Sequence, residues 1–300
     1  MHIAEQNCDK LFEINDLKCQ YSGKKTVLHV EDLIIERGKI TAILGLSGIG
    51  KSTILETLGL MNNTIPKESK VLFYPQRDSE ALNYSSLWYE KTEMIRSGVR
   101  RDHFSFIFQE SNLMYNFTAL DNIYITLLLQ NETKEKASAL VREYIRDMEL
   151  DRKISNSTMI YNLSGGERQR LSFIRAIAKD FTVLFGDEPT GNLDLLNATR
   201  VLNSLSRVLK LNRKSAIIVT HDIKLSVEYA DDIILIEERD ENFSGNISSF
   251  GYISGEKVFK SSYIENKKVW KNHSATQEWH DNSWMTDEIL RVFQKNTGAK

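Results

Sequence analysis

The 300-residue chain contains only two cysteines, Cys8 and Cys19. They form neither a disulfide framework nor a metal-ligand cluster, and read as two free structural thiols suited to a reducing compartment. No apolar run approaches the 18 residues that a membrane-spanning helix needs. The densest stretches, Ile123 to Leu129 and Ile233 to Ile236, are short. The first residues lack the basic and apolar regions of a secretory signal, so a cytoplasmic location is expected. Net charge is only −2, which leaves no global field to draw the chain to nucleic acid or to an anionic membrane. Internal repeats are absent too. What remains is a 41% hydrophobic chain, long enough for one large domain or two modest ones.

Gly45-Leu-Ser47-Gly48-Ile-Gly50-Lys51-Ser52-Thr53 fits G-x-x-x-x-G-K-[ST]. In that pattern glycines let backbone N–H groups close around phosphate oxygens at a helix N-terminus. Lys51 then reaches the β- and γ-phosphates, and the Ser52 hydroxyl ligates Mg²⁺. The required context is present: Ile40 to Leu44 reads as a buried strand and Thr53 to Leu60 as a helix.

Strand-like pieces are expected between Leu11 and Val30, with a turn at Tyr21-Ser-Gly-Lys-Lys, and again at Val71 to Tyr74. Leu87 to Ile95 has helical spacing within an irregular stretch, 62 to 100. Phe104 to Phe108 is a β-prone run that delivers the polar Gln109 at its end, as open α/β sheets do when they build sites. A largely helical segment follows from 110 to about 162, with one helix opened by Thr118 and Asp121 and another at Thr133 to Leu150. The second has Ala137, Leu140, Val141, Tyr144, Ile145 and Met148 on its apolar face. Gly165 to Ala178 and Leu195 to Leu211 are further helices, and Val183 to Phe185 and Ala216 to Thr220 read as strands buried on both faces of a parallel sheet. Composition shifts after Glu238. Yet residues 240 to 300 hold three of the four tryptophans, so this segment is expected to fold onto something, with a closing helix at Thr286 to Gln294 opened by Asp287 and Glu288.

Leu163-Ser164-Gly165-Gly166-Glu167-Arg168-Gln169-Arg170, together with the loop at 45 to 52, resembles the signature of ATP-binding cassette (ABC) ATPases. The resemblance covers about residues 10 to 240. It implies an α/β P-loop fold: a mainly parallel sheet, an N-terminal antiparallel β subdomain, and a helical subdomain inserted at about 110–163. Residues 241–300 would be an extension without a counterpart in the family.

The resemblance also implies roles. Asp187 would hold Mg²⁺ through water, Glu188 would be the general base, and His221 would contact the γ-phosphate. Gln109 would touch Mg²⁺ or water and sense the partner. Gly191-Asn-Leu-Asp194 is similar to the family's D-loop, which places Asp194 at the nucleotide. Tyr21 would stack on adenine; the alternative is a plain core tyrosine. Ser164, Gly165 and Gly166 would complete the site of a facing cassette, identical or not, in an ATP sandwich. Asp187-Glu-Pro-Thr-Gly-Asn-Leu-Asp194 is most similar to the lipoprotein-release, macrolide-efflux and cell-division branch, whose ATPases drive a transmembrane permease subunit from the inner face of the membrane. Pro66-Lys-Glu-Ser69 departs from the usual Pro-x-x-Gly turn.

Two other functions compete. A soluble ATPase acting on nucleic acid or ribosomes would favour two cassettes, a coiled-coil insertion or a basic extension, so no nucleic acid is expected as partner. A regulator without turnover conflicts with intact Lys51, Asp187, Glu188 and His221.

Overall fold

The computed structural model describes residues 9–21, 25–77, 79–243, 246–274 and 278–296. Its elements run β1 (Lys10–Gln20), β2 (Thr26–Glu36), β3 (Ile40–Leu44), α1 (Lys51–Leu58), β4 (Lys70–Phe73), β5 (Leu82–Asn83), α2 (Tyr84–Tyr89), α3 (Glu93–His103), β6 (Phe104–Ile107), α4 (Ala119–Leu128) and α5 (Lys134–Asp147). They continue with α6 (Gly165–Ala178), β7 (Val183–Asp187), α7 (Leu195–Asn212), β8 (Ser215–Thr220), α8 (Ile223–Tyr229), β9 (Asp232–Leu235), β10 (Glu237–Phe243), β11 (Asn246–Ile253), β12 (Val258–Ile264), β13 (Lys267–Asn272) and α9 (Asn282–Asn296).

Two sheets organise the chain. The seven-stranded sheet has order β13-β12-β9-β3-β8-β7-β6, and its strands β9, β3, β8, β7 and β6 are parallel. The six-stranded sheet, β10-β11-β2-β1-β4-β5, is antiparallel except where β11 runs parallel to β2. This is the mixed α/β architecture expected of a P-loop ATPase.

Strands β3, β8 and β9 are buried throughout because both faces of their sheet are covered. Ile43, Phe185, Ile217 and Val219 point to one face, where they meet α1 and the antiparallel sheet. Phe12 stacks on Phe73 at 5.0 Å, and Phe73 and Phe185 each meet Phe104 edge-on at 5.0 and 5.2 Å, a ring cluster that bonds the two sheets. Ala42, Leu184, Ala216 and Ile218 point the other way, into a core closed by α4 to α9.

Several local expectations need correction. The phosphate-loop helix runs Lys51–Leu58, because Leu60 is already left-handed (φ 55°). The helix expected at Leu87 to Ile95 is two helices, α2 ending at Tyr89 and α3 beginning at Glu93 after the extended Thr92. Leu140 is not on the buried face of α5: it is exposed, while Ala137, Val141, Tyr144, Ile145 and Met148 are buried. Helix α9 begins four residues early, so Asp287 and Glu288 sit in its second turn and Asp281 accepts from Trp284 N at 2.9 Å instead. Cys19 is a buried free thiol pushed up to about 11 by desolvation; Cys8 lies outside the described residues.

Residues beyond 240 join both sheets. Strand β10 spans that position, β12 extends the core sheet antiparallel to β9, and Trp270 is wholly buried with its Nε1 donating to Asn282 Oδ1 at 2.9 Å. Among the described residues no helix is long and apolar enough to cross a membrane.

Candidate nucleotide site

Adjacent parallel strands end side by side, and each delivers a functional residue at its carboxyl end. Register pairs Leu44 with Thr220, Asp187 with Val219, and Ile107 with Gly186. The residues that follow are the phosphate loop after β3, His221 after β8, Glu188 after β7 and Gln109 after β6. Together with Val27, Ser47, Gly48, Gly50, Lys51, Ser52, Thr53 and Asp187 they line one cavity of about 500 Å³.

The loop is held open by its backbone. Gly48 and Gly50 have φ of 79° and 105°, a region that penalises any Cβ. Lys51 Nζ donates to the carbonyls of Gly45 and Leu46 at 2.8 and 2.9 Å, so the ammonium lies along its own loop. Burial lowers its pKa, against the opposing charges of Glu188 and Asp187. Ser52 Oγ donates to Asp187 Oδ2 at 2.9 Å. Burial raises the Asp187 carboxyl; the Ser52 hydrogen bond counteracts this, while the neighbouring Glu188 charge adds to it. A cation would relieve that cost. A hydroxyl and a carboxylate oxygen in contact suit a hard ion that takes its other ligands from phosphate and water, and no cluster of three or more His, Cys, Asp or Glu exists among the described residues to offer an all-protein cage.

Glu188 is in a strained left-handed conformation (φ 47°), pinned by its N–H donating to Val219 O at 2.9 Å. Its carboxylate is buried and fully engaged: Thr220 Oγ1 donates to Oε2 at 3.0 Å and His221 Nδ1 lies 2.8 Å from Oε1. His221 therefore holds the carboxylate from the solvent side. Thr220 ends the expected strand Ala216 to Thr220, but its hydroxyl contact to Glu188 has no signal in sequence, nor does Val27 in the cavity wall. Asp222, directly after His221, caps α8 by accepting from Leu225 N at 2.9 Å.

Tyr21 stands at the rim with 47% of its surface exposed, which removes the core-tyrosine alternative. Its hydroxyl lies 3.4 Å from Thr53 Oγ1 and accepts from Asn62 Nδ2 at 3.3 Å. Gln109 is exposed; its backbone oxygen accepts from Asn192 Nδ2 at 3.3 Å, and the residue also lines a second cavity with Gly165, Arg168 and Gln169. Ser164, Gly165, Gly166 and Asp194 lie outside the phosphate-loop cavity. Ser164 heads α6 in a complete capping box, accepting from Glu167 N at 3.3 Å while the Glu167 carboxylate accepts from Ser164 N at 2.8 Å. Asp194 caps α7, accepting from Asn197 N at 2.9 Å, which holds its carboxyl below the ordinary range.

Comparison with known proteins agrees with this geometry. Residues 28–191 match the ABC transporter family. The lipoprotein-releasing system ATP-binding protein LolD of Zymomonas mobilis is 31% identical over 221 residues, covering 73% of this chain and 89% of the relative. LolD of Pseudoalteromonas translucida is 31% identical over 235 residues, covering 77% and 93%. Among solved structures, a dimeric bacterial ABC transporter cassette superposes with a TM-score of 0.62 at 26% identity over 75% of this chain and 93% of its own. A dimeric cassette in a post-hydrolysis state bound to ADP and Pi gives 0.61 at 26% identity over the same shares. The chain belongs to the ABC transporter family and is one of its ATP-binding, ATP-hydrolysing proteins.

Proposed function

We infer that this protein is the cassette subunit of a lipoprotein-release type of complex, driving a separate transmembrane permease from the inner face of the membrane. One observation carries the reading: Lys51, Ser52, Asp187, Glu188 and His221 converge on one cavity while Ser164 to Gly166 form an exposed helix start elsewhere, of the kind that can receive an anion. Each half is incomplete alone. Two cassettes, identical or not, complete each other when ATP lies between them, and Asp194 stands beside the join. The 1–240 segment carries the cassette, with the helical insertion at 110–163, and residues 241–300 serve it as an extension.

Within the site, Lys51 and the loop amides bind the β- and γ-phosphates, and Tyr21 offers a flat face to the base. Ser52, Asp187 and Gln109 would hold Mg²⁺, which would supply positive charge against the transferred phosphoryl group when bound. Glu188 accepts the proton of the attacking water, and His221 orients it and the γ-phosphate. Purification from detergent-solubilised membranes tests the assignment: a multispanning partner should accompany the protein, and RNA or DNA in its place would overturn it.

A further inference from the structure

The phosphate loop rests on a residue far outside the quoted motifs. Gly251, two residues before the end of β11, is buried opposite Leu28 of β2. A Cβ built there would overlap the Ile49 carbonyl oxygen outright, and would lie 2.9 Å from Ile236 Cγ2 and 3.0 Å from Leu28 Cδ1. The Ile49 oxygen thus occupies the space that a side chain on Gly251 would take, within reach of a weak Cα–H···O contact. The same packing continues into the loop. Gly45 abuts Ile49 Cγ2 and Ile236, where a Cβ would fall 2.8 and 3.2 Å away, and a Cβ on Gly50 would fall 3.3 Å from Leu28 Cβ and from Val27 O.

A peptide plane has a carbonyl on one side and an N–H on the other, pointing oppositely when trans. No cis peptide occurs in the described residues, so the Ile49–Gly50 unit aims its oxygen at β11 and its N–H away from it. Gly50 lines the cavity. We propose that Gly251 is a positioning residue for nucleotide: it is the stop against which the Ile49–Gly50 peptide is set, so that the Gly50 N–H faces the phosphates. Only glycine gives a strand that approaches this closely. The β10–β11 hairpin is thereby part of the nucleotide site, although it contributes no side chain to it.

Linkage makes this reciprocal. If the placement of β11 raises nucleotide affinity, bound nucleotide must stabilise that placement by the same free energy.

The test is Gly251→Ala beside Ile253→Ala, a change two residues along the same buried face that loosens β11 without touching the Ile49 carbonyl. In Gly251→Ala the Kd for ATP and for ADP should both rise about tenfold, the scale of one misdirected phosphate hydrogen bond. Turnover at saturating ATP should stay within about twofold, because the amide binds ground and transition states alike. Unchanged Kd, or a fall in turnover at unchanged Kd, overturns the proposal. So does an equal rise in Kd in Ile253→Ala at matched loss of thermal stability, which would reduce Gly251 to an ordinary packing position. Hydrogen exchange on the unaltered protein is independent of whether either variant folds. ADP should slow exchange of amides 246–253 along with those of the loop, and exchange there that ignores ADP overturns the idea.

Discussion

Glu188 is the residue whose surroundings bear most directly on turnover. Its carboxylate accepts from Thr220 on one oxygen and lies against His221 Nδ1 with the other, which leaves a lone pair on each oxygen free to take a proton from water. Glu188→Gln keeps the size and can still bond Thr220. The expected outcome is ATP binding close to that of the original protein with turnover reduced by about 10² to 10⁴, the range of a lost general base. Phosphate release at an undiminished rate would remove Glu188 from that role. Tyr21 poses a different question, because its hydroxyl is engaged by Thr53 and Asn62 while its ring stands exposed. Tyr21→Ala should raise KM for ATP about fivefold, from an aromatic contact of about 1 kcal/mol. Tyr21→Phe should leave KM near its starting value. If the two variants behave alike, the Thr53 and Asn62 contacts matter rather than the ring.

At the scale of elements, strands β2, β3, β9 and β12 are tied by a charge network. Lys39 bonds Glu36 at 2.6 Å and Asp232 at 3.1 Å, and Lys260 bonds Glu36 from the other side. The two lysines hold the Glu36 carboxyl down at about 2, overcoming its burial, whereas burial of Asp232 outweighs Lys39 and raises it to about 6. These shifts act in opposite senses. The Glu36 contribution is present above its unfolded pKa of about 4.5 and is lost as pH falls toward 2. The Asp232 contribution is present below about pH 4 and is lost as pH rises through 6, a change of roughly 3 kcal/mol. Urea midpoints measured from pH 4 to 7 should therefore fall for the original protein relative to Asp232→Asn. Parallel curves would rule out Asp232 as the cause.

The same scale explains what was legible beforehand. Strands β3, β7 and β8 are short and mostly apolar, and α6 and α7 carry a clear 3.6 period, so local chemistry alone marks them. The phosphate loop and the residues at the strand ends were readable for the same reason. Residues 84–103 were not, because the apolar spacing from Leu87 to Ile95 hides a break at Glu90 to Thr92. Strand β10, Glu-Glu-Arg-Asp-Glu-Asn-Phe, has no apolar alternation at all. It exists because β11 supplies its hydrogen bonds, and β11 exists because β2 supplies an edge, which no window of sequence contains.

For the molecule as a whole, the proposed ATP sandwich would split the site between two surfaces, so that activity should depend on concentration. Light scattering on Glu188→Gln at micromolar concentration should report a monomer without nucleotide and a dimer with ATP. A mass that does not change with ATP would contradict the sandwich arrangement.

The parallel pairing of Gly251 with Leu28 has a last consequence, in the order of synthesis. Strand β2 emerges from the ribosome early, but its outer edge must wait for β11. During that interval every ATPase motif is already made, while an open row of backbone donors and acceptors invites pairing with other chains. The nascent protein should thus be most aggregation-prone after it has acquired its whole catalytic vocabulary and before it has acquired the strand that backs its first word.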